Sequence, residues 1–114
     1  MEKFRLCFEN KKENVSLIRL QSSFVAMKCG FSLDDIEDIK LCTSECVNLQ
    51  IDKSNTIDVT MTIDDNSLEF VFKLDGTNKR EPNKKDEISE MIIQSLMDYC
   101  EIDESEIKII KNRK

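Results

Sequence analysis

Cys42 and Cys46 stand one helical turn apart, at i and i+4, where two thiols share a helix face and could seat a metal ion. A zinc site needs further ligands, and the chain has neither a CxxC pair nor a single histidine to supply them. The five cysteines, Cys7, Cys29, Cys42, Cys46 and Cys100, are odd in number and scattered. Neither a metal centre nor a disulfide framework is therefore expected; small buried side chains are. The missing histidine also excludes every mechanism that needs an imidazole base. Carboxylates, amides and cations remain: Glu45 beside Asn48, Asp75 before Gly76, and the pair Lys84 and Lys85. Arg19 lies among the apolar positions of an expected helix, where a guanidinium suits recognition of a partner's carboxylate. The same group could equally pair with Asp34, Asp35 or Glu37 of its own chain.

With 114 residues, 39% of them hydrophobic and 35% charged, the chain is expected to form one soluble domain spanning 1–114. Its net charge of −6 is spread along the chain. Such a surface repels phosphate backbones, so no nucleic-acid partner is expected; a basic protein surface would suit it better. No apolar run approaches the roughly 20 residues of a membrane helix. MEKFRLCFENKK at the start lacks the apolar core of a signal peptide, so a cytoplasmic location is expected.

Phe4, Leu6 and Phe8 alternate with polar neighbours as a half-buried strand does. From 14 to 28 the residues Val15, Leu17, Ile18, Phe24, Val25 and Met27 recur at helical spacing, and Gly30 reads as the left-handed cap that stops the helix. Ser32 then caps a second helix, with Asp35 at its third position. Ile36, Ile39, Thr43 and Val47 trace the face it should turn to the core. Residues 57–63 alternate almost without fault, 64–67 form a turn, and Leu68, Phe70, Phe72 and Leu74 carry the returning strand. Residues 75–87 read as an exposed loop. A third amphipathic helix is marked by Ile88, Met91, Ile92, Ser95, Leu96 and Tyr99. Residues 106–111 close the chain as a strand, with a short partner near Glu101. The order β-α-α-β-β-α-β-β predicts an α+β two-layer sandwich: one antiparallel sheet of four or five strands with three helices on one face.

Three stretches of this chain, VSLIRLQSSFVAMKCGFSLDDIEDIKLCTSE (15–45), the hairpin region 57–76, and IIQSLMDYCEI with EIKIIK (92–111), resemble the bacterial anti-sigma-factor serine kinases. These belong to the histidine-kinase-like ATPase fold. The resemblance implies a regulator that dimerises, captures a sigma factor around its first two helices, and yields it to an antagonist protein. It also implies phosphorylation of a serine on that antagonist with ATP and magnesium.

On this pattern Glu45 takes the place of the catalytic base. The asparagine that should hold magnesium four residues on is replaced by Leu49. Asn48, about 60° from Glu45 on the other side of the helix, could substitute only if the helix rotated or bulged. The family's adenine-binding aspartate position holds Leu74; Asp75 stands one residue late, before the turn glycine Gly76. The glycine-rich phosphate loop is replaced by residues 86–91, DEISEM, in which Glu87 and Glu90 would repel a triphosphate. The resemblance therefore implies an anti-sigma-like regulator that acts by binding, with a degenerate ATP site, little or no enzyme activity and no cofactor. The alternative is a working serine/threonine kinase of this family, using ATP and magnesium with Glu45 as base.

Overall fold

The computed structural model describes residues 1–50, 53–75 and 83–113. Its elements are β1 (Glu2–Glu9), a 3-10 turn (Lys12–Asn14), α1 (Val15–Cys29), α2 (Leu33–Gln50), β2 (Thr56–Ile63), β3 (Ser67–Lys73), α3 (Lys84–Leu96), β4 (Tyr99–Ile102) and β5 (Glu106–Asn112). The strands form one sheet in the order β1-β2-β3-β5-β4. Every neighbouring pair is antiparallel, so the fold is the expected α+β sandwich with five strands. Alternation of side chains decides which face is buried. Ile57, Val59 and Met61 of β2, Leu68, Phe70 and Phe72 of β3, and Ile107 and Ile109 of β5 are all buried in one core. Facing them are Ile18, Val25 and Ala26 of α1, Ile36, Ile39, Cys42, Cys46, Val47 and Leu49 of α2, and Ile93 of α3. Helix α2 lies in the middle of the helical layer, in contact with both α1 and α3.

Local chemistry sets the helix ends. Gly30 adopts φ 86°, a left-handed conformation that costs a residue with a Cβ, and its N–H donates to the Met27 carbonyl at 3.0 Å. A Cβ there would also lie 3.0 Å from Arg113 Nη1, which reaches the carbonyl of Cys29. Ser32 Oγ accepts from the Asp35 N–H at 3.2 Å, as expected of a cap. Helix α3 starts earlier than the composition of 75–87 suggests. Asn83 and Asp86 form a reciprocal capping box, so Lys84 onward is helical.

Two helices present different faces from those expected. In α1 the buried residues are Ile18, Ser22, Val25, Ala26 and Cys29, whereas Leu17, Phe24 and Met27 are exposed. In α3 the core side carries Asp86, Ser89 and Ile93; Ile88 and Met91 face outward, and Tyr99 belongs to β4. Both helices are apolar on more than one side, and periodicity alone does not choose between stripes.

All five cysteines are free. Among the described residues no group of three or more His, Cys, Asp or Glu is placed to hold a metal ion, and no helix is long and apolar enough to cross a membrane. Burial pushes the Cys42 thiol up to about 12, with Asp38 adding to the shift, and pushes Cys46 well above its ordinary value. A raised thiol stays protonated in the fold but ionises in the unfolded chain, so stability is full below about pH 9 and is lost as pH rises toward about 12. Alkaline titration followed by circular dichroism should show unfolding in that window, and replacing Cys42 and Cys46 by alanine should shift the window upward.

Candidate functional site

The residues singled out by resemblance gather where the end of α2 meets α3 and the start of β2. Glu45 is partly exposed on α2. Its Oε1 accepts two hydrogen bonds, from Asn48 Nδ2 at 3.0 Å and from Ser89 Oγ at 3.0 Å. Asn48 therefore lies beside Glu45 with no bulge in α2, which runs unbroken from Leu33 to Gln50. A side chain three residues on stands one turn away and leans back along the helix, which brings the Asn48 amide to Glu45. Leu49 points the other way, 3% exposed within the core.

Asp75 is held by the backbone. Its Oδ2 accepts from the N–H of Asn55 at 2.8 Å and of Thr56 at 3.3 Å, and its own N–H donates to Ser54 Oγ at 3.1 Å. Asn10 ties the same corner by donating to the carbonyls of Gln50 and Ser54. Gly76 lies outside the described residues.

The first turn of α3 is occupied by its own side chains. The Asp86 N–H donates to Asn83 Oδ1 at 3.1 Å, and Asp86, 6% exposed, also lies 3.8 Å from Lys53 Nζ. An α-helix start with free amides attracts phosphate. Here one of those amides is capped, and a carboxylate stands among them. Lys84 and Lys85 are exposed in the same turn.

Arg19 lies away from this cluster, on the outer side of α1. It lines a groove with Ser16, Leu20, Ser23 and Lys40. It forms no ion pair among the described residues: Lys111 lies 3.8 Å from Asp35, and Glu37 pairs with Lys40 at 3.3 Å.

Ser89 and Gln50 were not foreseen. Ser89 is buried and 44 positions from Glu45 in sequence, so nothing local links them. Gln50 is fully buried; its Nε2 donates to the Cys46 carbonyl, and its Oε1 has no hydrogen-bond partner among the described residues.

Magnesium takes oxygen ligands; on this stretch of α2 these are the Glu45 carboxylate, whose Oε1 accepts two hydrogen bonds, and the Asn48 amide, while Leu49 is buried. No protein-family model matches the chain. It is similar to the serine-protein kinase RsbW. Identity is 39% over 72 residues to the protein of that name from Bacillus licheniformis, covering 58% of this chain and 45% of the relative. With the RsbW proteins of Bacillus thuringiensis (strain Al Hakam) and Bacillus cereus (strain B4264) it is 45% over 49 residues, covering 42% of this chain and 31% of each. The chain thus spans less than half the length of these curated relatives. The similarity supports the resemblance to the anti-sigma serine kinases.

Proposed function

We propose that this chain is an anti-sigma-factor-like regulator that works by docking a protein partner, a sigma factor or its antagonist, and that its ATP site is degenerate. The observation that carries this reading is Leu49, 3% exposed in the core at the position where the resemblance places a magnesium ligand, beside a Glu45 whose Oε1 is bonded to both Asn48 and Ser89. A base must accept the proton of an incoming hydroxyl, and a metal ligand must face the phosphates. Asp75 bound to backbone amides and the capped start of α3 support the same conclusion. The similarity to RsbW supports the regulatory setting, and a homodimer in the cytoplasm belongs to the same proposal.

The alternative, a working serine/threonine kinase with ATP and magnesium, draws on the closeness of Asn48 to Glu45, which puts a side-chain amide beside the base position, its Nδ2 donating to Glu45 Oε1. Two substitutions separate the readings. If docking is the function, Arg19→Glu should lose the native-cell partner that wild type captures, by about a hundredfold in affinity, while Glu45→Ala binds normally. Loss with Glu45→Ala alone, or equal loss in both, would favour a nucleotide-dependent switch.

A further inference from the structure

Resting on the reading of Glu45 as the base position of a degenerate site, we infer that Ser89 is a built-in stand-in for a substrate serine. Its hydroxyl holds the place on Glu45 Oε1 that an outside hydroxyl would need, and so closes the base from within. Ser89 Oγ donates to that oxygen at 3.0 Å. A general base takes a proton from a hydroxyl at such a separation, roughly 2.6–3.2 Å. Asn48 Nδ2 donates to the same oxygen, also at 3.0 Å, and steadies the carboxylate from its own helix. Hydroxyl, carboxylate and orienting amide thus stand in the order that a serine activated for attack would show. Ser89 is 6% exposed, so the fold shields its hydroxyl from any second reactant. The bond occupies the base without offering a substrate.

Helical serines ordinarily satisfy their hydroxyls on the preceding turn. Three others in this chain do so: Ser22 donates to the Arg19 carbonyl at 3.1 Å, Ser44 to the Lys40 carbonyl at 2.9 Å and Ser95 to the Ile92 carbonyl at 2.9 Å. Ser89 has the same local choice, yet it bonds a side chain of α2, 44 positions away. A charged acceptor makes the stronger bond, about twice a neutral one. The first turn of α3 sets the aim of the hydroxyl. Asn83 and Asp86 close the capping box, and Asp86, 3.8 Å from Lys53 Nζ, ties that turn to the chain just beyond α2. Ser89 follows Asp86 by three residues on the same buried side of the helix.

The test reads how open Glu45 is and whether Ser89 takes phosphate. The full chain is treated with a water-soluble carbodiimide and an amine, and the rate of labelling at Glu45 is followed by peptide mass spectrometry against the exposed Glu104. Ser89→Ala should speed labelling of Glu45 at least about fivefold, because a bond to a charged acceptor is lost. Labelling of Glu104 should not change. Ser89→Thr, which keeps a hydroxyl, should return Glu45 to the wild-type rate. Wild type incubated with magnesium-ATP should carry no phosphate at Ser89. Phosphate there would make Ser89 a reacting serine, and would overturn both the inference and the degenerate reading. Equal labelling of Glu45 in wild type and Ser89→Ala, without phosphate, would overturn the inference and leave the degenerate reading standing. Phosphoryl transfer from ATP to an added serine-containing peptide by Ser89→Ala, but not by wild type, would do the reverse.

Discussion

Leu49→Asn, the substitution that writes the missing magnesium ligand back into α2, should destabilise the chain by about 3–5 kcal/mol and restore no kinase activity. Leu49 is 3% exposed and belongs to the core shared by α2 and the sheet. Exchanging it removes buried aliphatic carbon and leaves a polar amide in an apolar setting, and each change costs on the order of 1–3 kcal/mol or more. Small domains hold only about 5–15 kcal/mol in all, so the variant should unfold at markedly lower urea. Equal stability together with ATP binding would mean that α2 turns this position outward when nucleotide is offered.

Phe70→Ala should cost about as much, 3–5 kcal/mol, for a different reason. Phe70 is fully buried on β3 between Met61 of β2 and Ile109 of β5, its register partners, at the centre of the sheet. Truncation leaves a cavity that neither neighbouring strand can close without giving up its ladder. Chemical denaturation should show a lower midpoint with an unchanged slope; a loss below about 1 kcal/mol would contradict the placement of this ring at the core.

The strands were easy to read because a buried face repeats every second residue, and 57–63 and 68–74 alternate cleanly. The α2 stripe of Ile36, Ile39, Thr43 and Val47 was legible for the same reason at helical period, and all four are buried. Helix α1 was not, because leucines, phenylalanine and methionine continue around to its outer side. Helix α3 misled more strongly. Its core side includes Asp86 and Ser89, polar residues whose burial is supported by hydrogen bonds with Asn83 and Glu45 and by an ion pair with Lys53. Those partners lie up to 44 positions away, and no local pattern announces them. At the candidate site, Glu45, Leu49 and Asp75 were legible from the resemblance, whereas the side-by-side placement of Asn48 and Glu45 depends on side-chain lean within one turn. The burial of Gln50 carried no signal beyond an ordinary polar residue near a helix end.

The account turns on whether nucleotide is held, and calorimetric titration of the full chain with magnesium-ATP, paired with its melting curve, measures that directly. At a hundredfold excess over its Kd a ligand adds about 2.7 kcal/mol and lifts the melting temperature of a domain this size by several degrees. A degenerate site predicts no binding heat and no shift at millimolar nucleotide. A saturating isotherm with a melting rise of that size, lost in Glu45→Ala, would contradict it.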